Sequence, residues 1–333
     1  MLPIIKFKTR HFTVKDLMLG GAPLGNLFQA VPVEDARAAI RRAYECGIQR
    51  FDTAPLYGLG LSEELFGVEL KHRSPVYIYT KVGRLLKPSS EISSGDMVDD
   101  GYKIYQVQRD TVPVFDFSAK AVQKSYEESL LRLQRTSLQC LRVHDADSET
   151  KFAAAMAPDG AVHHLIKLRA EGRINEVSAG LNDPAYLLRF AREAPGGTFD
   201  NFMCAGSWNL LDHSAYELLR ECQARGIRVT NAGVFGSGIL WGGDTLRYTS
   251  ASPEAREKVV QWSSLAQKYS LPLPAVALHF ALMPEVVDFA AIGCRNPAEV
   301  DANVALLAFT VPSQLWADAK AQGLLPDWMP IPT

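Results

Sequence analysis

The sequence predicts one α/β domain in which eight parallel strands close into a (β/α)8 barrel with the helices outside. Three observations predict it. Short β-rich runs alternate with helix-length amphipathic segments eight times over 333 residues; such alternation specifies a parallel sheet, and eight units favour closure. The composition, 47% hydrophobic and 22% charged, supplies a large core. The competing fold, a doubly wound open sheet, usually shows a G-x-G-x-x-G turn after its first strand. Here that turn reads Gly20-Gly21-Ala22-Pro23-Leu24-Gly25, with different spacing and a proline unsuited to helix entry.

Residues 4–15 alternate, with Lys6, Lys8, Arg10 and Thr13 among Ile4, Phe7, Phe12 and Val14, which predicts a short N-terminal hairpin. Leu17–Gly21 is the first strand. A helix over Glu34–Glu45 carries Ala36, Ala39, Ile40 and Ala43 at helical spacing and stops at Gly47. Gln49–Thr53 is the second strand, and Ser62 is the expected cap of a helix reaching Leu70, with Glu63 and Glu64 in its first turn. Val76–Thr80, ending at Lys81, is the third. The polar stretch from Leu86 to Val114, with Tyr102 and Tyr105, is long enough to suggest a lid.

A helix over Ala119–Gln134 leads to strand four, Leu138–Val143, ending at His144-Asp145. A helix over Val162–Ala170 precedes strand five, Ile174–Leu181, which ends in Asn182-Asp183; Pro184–Arg192 then leads to strand six, Asn201–Gly206. Ser214–Ala224 leads to strand seven, Ile227–Asn231, and a glycine-rich loop. The helices Pro253–Tyr269 and Pro274–Ala281 precede strand eight, Val286–Gly293; a helix over Ala298–Ala308 and a tail at 310–333 rich in proline and tryptophan complete the domain, 1–333.

A net charge of −2 gives no reason to expect nucleic acid or an anionic membrane as partner. Five dispersed cysteines without a C-x-x-C pair read as reduced thiols. The N-terminus has too short an apolar run for a signal peptide, and the most apolar segment, Ala275 to Gly293, is broken by His279, Pro284, Glu285 and Asp288. A cytoplasmic protein, monomer or homodimer, acting on a small molecule is expected. No metal site is expected, since His163 and His164 point to different helix faces.

Function in a barrel sits at the carboxyl ends of the strands. Strand two ends at Asp52, with Tyr57 just beyond a proline-bearing turn; strand three ends at Lys81 and strand four at His144. These consecutive strands place four titratable groups at one mouth. A phenol titrates near pH 10, and a neighbouring ammonium is expected to lower that value. Asp52 orients Lys81, and His144 donates to a substrate oxygen or tunes the phenol. The set suits proton transfer to or from an oxygen on carbon, with Tyr57 as proton carrier.

If that chemistry is redox, an electron acceptor is needed, and the loops after strands seven and eight are the usual phosphate-binding places. The first, Val234-Phe235-Gly236-Ser237-Gly238-Ile239-Leu240, offers glycines and a serine to cradle a pyrophosphate. The second supplies Gly293 and Arg295, with Glu299 and Asn303 on the next helix. Gly21 and Ala22 permit close backbone approach at strand one. Trp208, beyond strand six, is expected to offer a flat face to a nicotinamide.

The sequence resembles the aldo-keto reductase family. The resemblance is carried by F-D-T-A-P-x-Y-G at 51–58, T-K-V-G at 80–83, His144-Asp145, Gly180-x-Asn182, W-N-L-L-D at 208–212 and G-x-R at 293–295. It implies that Asp52, Tyr57, Lys81 and His144 are the catalytic tetrad, and that an extended NAD or NADP binds without a Rossmann motif. G-G-A-P-L-G-N-L at 20–27, Y-G-L-G-L-S-E at 57–63, V-F-G-S-G-I-L at 234–240 and L-W-A-D at 315–318 are similar to the aldose 1-dehydrogenase branch, which includes L-fucose, L-galactose and pyridoxal 4-dehydrogenases. That branch oxidises a cyclic hemiacetal, such as L-fucose, L-galactose, D-arabinose or pyridoxal, to a lactone.

Two departures matter. Where many members hold the carboxamide with Ser-Asn and Gln, this chain has Asn182-Asp183 and Ala205, which favours Asn182 as the contact. After Arg295 it reads Asn296-Pro297, without a second basic residue for a 2′-phosphate, which leans toward NAD. A general aldehyde or ketone reductase is the alternative. A nucleotide-binding regulatory barrel is the remote one, and the complete set of four argues against it.

Overall fold

The computed structural model describes residues 2–332. Its centre is the expected barrel: β1 (Leu17–Gly20), β2 (Arg50–Asp52), β3 (Tyr77–Val82), β4 (Leu138–His144), β5 (Ile174–Leu181), β6 (Asn201–Ala205), β7 (Arg228–Ala232) and β8 (Val287–Gly293). Each strand pairs in parallel with its sequence neighbours, and β1 pairs with β8 to close the ring. Most of the core lies between this ring and the helices, where both sides of each strand are covered. A small apolar layer of Met18, Tyr79, Cys140, Met203 and Ala291 fills part of the interior.

The interior also holds a polar layer. Lys81 pairs in register with Arg142, Arg142 with Ser178, and Ser178 with Asn201. Residues level with one another on parallel strands face the same side, so this layer runs around four strands inside the barrel.

The outer helices are α1 (Val33–Glu45), α2 (Leu61–Leu70), α3 (Ala119–Leu133), α4 (Glu149–Met156), α5 (Ala161–Ala170), α6 (Pro184–Glu193), α7 (Tyr216–Arg225), α8 (Pro253–Lys268), α9 (Leu273–Leu282), α10 (Pro297–Ala305) and α11 (Ser313–Ala321). α1 buries the four residues its spacing predicts. Two helices were not anticipated: α4, in the connection after β4, and α11, which orders much of the tail and buries Leu315, Trp316 and Ala319.

Three local expectations change. No hairpin forms over 4–15. Lys6 and Lys8 pair instead with Glu285 and Met283 ahead of β8, while Thr13 and Asp16 cap a helical turn over Val14–Asp16. Ser62 does not cap α2, whose N-cap is Gly60 at φ 93°; buried Ser62 Oγ accepts from Thr53 Oγ1 at 2.9 Å. The 86–114 stretch is not a bare loop. Arg84–Pro88, Thr111–Phe115 and Met97–Val98 form an antiparallel sheet, with a helical turn over Asp100–Ile104 between the last two.

All five cysteines are free, and all but Cys46 are buried. Among the described residues no helix is long and apolar enough to cross a membrane.

Candidate active site

Asp52 and His144 are the last residues of β2 and β4, Lys81 lies near the end of β3, and all three are buried. Lys81 Nζ donates to Asp52 Oδ1 and, at 2.7 Å, to the Thr53 carbonyl oxygen. Arg142, which the sequence reading did not single out, holds the other carboxylate oxygen: its Nε donates to Asp52 Oδ2 at 3.2 Å. Its remaining nitrogens donate to Ser178 Oγ at 2.5 Å, to Asn201 Oδ1 and to Thr230 Oγ1. A charged residue inside a central barrel strand was the available signal, since arginine is almost never fully buried unless paired.

Tyr57 stands over this pair, with Lys81 Nζ 4.5 Å from its ring centroid and the His144 ring edge-on at 6.1 Å. Its backbone is set by the close meeting of two loops. A Cβ on Gly25 would lie 2.5 Å from the Tyr57 carbonyl carbon, and one on Gly58 would lie 2.6 Å from the Gly25 oxygen. Gly58 also has φ +65°. Only glycine suits both places.

The electrostatics differ from expectation in one respect. Lys81 does not lower the Tyr57 phenol; burial first, and Asp52 second, push it well above its ordinary value. The Lys81 ammonium is itself engaged by Asp52 and the Thr53 carbonyl. Burial pulls Lys81 down while Asp52 opposes. His144 is held well below the usual imidazole range by burial, then by Arg84, Lys81 and Lys151. At neutral pH the site therefore presents a neutral phenol and a neutral imidazole.

These groups open into a cleft of about 1240 Å³ that runs across the barrel mouth. Asp52, Tyr57, Lys81 and His144 line it, as do Gly21, Ala22 and Asn182. Val234, Phe235, Ser237 and Gly238 line it from the loop after β7, and Gly293, Arg295, Glu299 and Asn303 from the β8 side. Arg295 is bound to Glu299 by Nε at 2.9 Å, and its backbone N–H donates to the same carboxylate at 2.8 Å.

Three expected residues lie elsewhere. Trp208 is 1% exposed and stacks on Phe280 at 5.0 Å, so it offers no face to the cleft. Its indole packs against His213 and Tyr216 as well, in the core outside the cleft. Gly236 and Leu240 are buried behind the loop, where the Gly236 amide donates to the Gly233 oxygen.

The near end of the cleft is roofed by contacts no local pattern announces. Phe28 N donates to the Ile104 oxygen and Gln106 N to the Asn26 oxygen, both at 2.9 Å, which docks the lid on the loop after β1. Tyr105 lies 6.0 Å from Tyr57, ring to ring. Tyr248, from the hairpin after β7, meets Phe28 at 6.1 Å. Arg84 clamps the lid from beneath, donating to Asp99 at 2.5 Å and to Asp145 at 2.8 Å.

The residues present fit an extended dinucleotide: a long cleft, glycines on both walls, and a buried Asn303 Oδ1 with no partner among the described residues at the Arg295 end. The chain is 32% identical over 315 residues to D-threo-aldose 1-dehydrogenase of a Pseudomonas species, covering 92% of this chain and 93% of the relative. It is also 32% identical over 337 residues to pyridoxal 4-dehydrogenase of Microbacterium luteolum, covering 94% and 95%. A glycerol dehydrogenase of Gluconobacter oxydans shares the fold at a TM-score of 0.71 and 19% identity, over 100% of this chain and 98% of that one. Residues 16–322, spanning all eight strands and every residue of the site, match the model of the aldo/keto reductase family, and the chain belongs to that family.

Proposed function

We propose that the protein oxidises the cyclic hemiacetal of an aldose to its lactone, with NAD in preference to NADP. The observation that carries the reading is the Tyr57 phenol at the closed end of the cleft, over a Lys81–Asp52 pair and beside neutral His144. Similarity to an aldose 1-dehydrogenase and a pyridoxal 4-dehydrogenase supports the substrate class. A nicotinamide, when bound, supplies the hydride acceptor for the anomeric hydrogen.

The chain's own residues handle the proton. Tyr57 takes it from the anomeric hydroxyl as the carbonyl forms, with the Lys81 ammonium beside its ring. Neutral His144 orients the reacting oxygen by hydrogen bonding, and Asp52 keeps Lys81 in place. Asn182 is positioned for the carboxamide and the loop from Val234 to Gly238 for the pyrophosphate. Glu299 supports NAD, because a 2′-phosphate would meet a carboxylate already engaged with Arg295, whereas a ribose hydroxyl can donate to it.

Turnover of L-fucose, L-galactose, D-arabinose and pyridoxal with each cofactor tests the reading. Activity on simple aldehydes alone would overturn the substrate class. Tyr57→Phe should lower turnover about 10²–10⁴-fold while nicotinamide fluorescence shows cofactor still bound; unchanged turnover would refute the proton-transfer role.

A further inference from the structure

The substrate end of the cleft carries a carboxylate that the proton transfer does not use. Asp145 follows His144 with φ +51°, so its side chain turns back beside the imidazole, and its Oδ2 lies 3.4 Å from His144 Nε2. Arg84 fixes it. This arginine is 5% exposed, stacks its guanidinium 4.4 Å from the Phe115 ring centroid, and donates to Asp145 Oδ2 at 2.8 Å while also holding Asp99. Asp145 Oδ1 accepts no hydrogen bond among the described residues, and Asp145 lines the cleft.

The charges around it are balanced toward the negative. Asp99 and Asp145 share Arg84, and Asp147 engages Lys151. Arg84 and Lys151 are thus each already paired with a carboxylate, whereas a fixed carboxylate with an open oxygen suits a hydroxyl donor. Vicinal oxygens of a sugar lie within hydrogen-bond distance of one another. A substrate oxygen held by His144 therefore brings its neighbour's hydroxyl to Asp145.

We propose that Asp145 determines specificity by accepting a hydrogen bond from the hydroxyl on the carbon next to the reacting one, so that the site selects α-hydroxylated substrates. Arg84 is the positioning residue for that contact. The proposal rests on the reading of the Tyr57 end as the reacting end. It favours aldoses over pyridoxal, whose neighbouring ring carbon carries no such hydroxyl.

The test compares lactaldehyde with propanal, which differ only in that hydroxyl, in the reductive direction with the full-length protein, and each aldose that is oxidised with its 2-deoxy analogue. Wild-type kcat/KM should favour the hydroxylated partner by about 10- to 100-fold, the range of a hydrogen bond to a charged group. The preference should shrink in Asp145→Asn and approach one in Asp145→Ala. An equal loss on both partners in these variants would mark a structural role and overturn the proposal. A wild-type ratio near one would overturn it without any variant. Absence of aldose oxidation with the lactaldehyde preference retained would instead overturn the proposed function and leave the Asp145 contact standing.

Discussion

Two cations share the Asp52 carboxylate, and removing them separately should have different consequences. Lys81 holds Oδ1 and lies 4.5 Å from the Tyr57 ring centroid; Arg142 holds Oδ2 at 3.2 Å, and also serves Ser178 and Asn201. Lys81→Met leaves Asp52 paired with Arg142 but removes the charge beside the proton carrier. Turnover should fall about 10²–10⁴-fold, or about 3–5 kcal/mol in barrier. Arg142→Met leaves Lys81 at its post but strips the buried network of Asp52, Ser178, Asn201 and Thr230 of the guanidinium that joins it. Breaking a buried pair costs about 3–5 kcal/mol. At about 2.1 cal/mol/K per residue, 333 residues give an unfolding entropy near 0.7 kcal/mol/K, so melting should drop by about 4–7 °C. Initial rates well below each melting point, together with thermal melts followed by circular dichroism, separate the two effects. Wild-type turnover in Lys81→Met would refute the role given to the ammonium. An unchanged melting temperature in Arg142→Met would refute the claim that the polar interior layer holds Asp52.

Other expectations follow from the same geometry. Gly25→Ala would place a Cβ 2.5 Å from backbone at Tyr57; it should cost roughly 1–3 kcal/mol of stability and lower kcat by shifting the phenol, and melts and rates at wild-type values would show that the loop contact does not position Tyr57. Because burial holds the phenol protonated well above its ordinary range, the acid form serves reduction and the base form oxidation. Oxidative kcat/KM should thus climb about tenfold per pH unit from neutrality into the alkaline range, while reduction stays level; an oxidative profile falling between pH 7 and 9 would contradict this. Glu299→Gln frees Arg295 from its ion pair and should raise the NADP-to-NAD ratio of kcat/KM by roughly tenfold; no change in the ratio would argue against Glu299 as the discriminating group.

How far the chain could be read in advance depended on whether a feature is local. β2, with Asp52 at its end and a proline-bearing turn after it, announces itself in eight residues, and so do the strand ends at Lys81 and His144. Barrel topology then brings them together, since β2, β3 and β4 are neighbours. Arg142 was missed because the register that sets it level with Lys81 is a property of pairing, not of either strand alone. Trp208 was misplaced because its partners, Tyr216 and Phe280, come from helices later in the chain, and a strand-end tryptophan does not reveal which side it packs on. The N-terminal hairpin failed for a related reason: alternation specifies an extended strand but not its partner, and the partner is the segment before β8.

The same distinction explains how the site is divided. Its deeper end is anchored in strands whose mutual positions the closed ring fixes, and Asp52 and Lys81 there are buried and multiply bonded, while Tyr57 is held above them by the Gly25–Gly58 loop contact. Its substrate end is assembled from connections: Asp99 of the lid, Asp145 beyond β4, Tyr105 docked against Leu27, and Tyr248 on a hairpin whose neighbour Arg247 pairs with Asp212 beyond β6. Each of these contacts spans loops that tolerate change far better than strands do. Substitutions at the substrate end can therefore alter which hydroxyl pattern is accepted while the Tyr57–Lys81–Asp52 arrangement stays intact. On the proposed reading, altering the partners of Arg84 would change the substrate of this barrel while Tyr57, Lys81 and Asp52 keep their places.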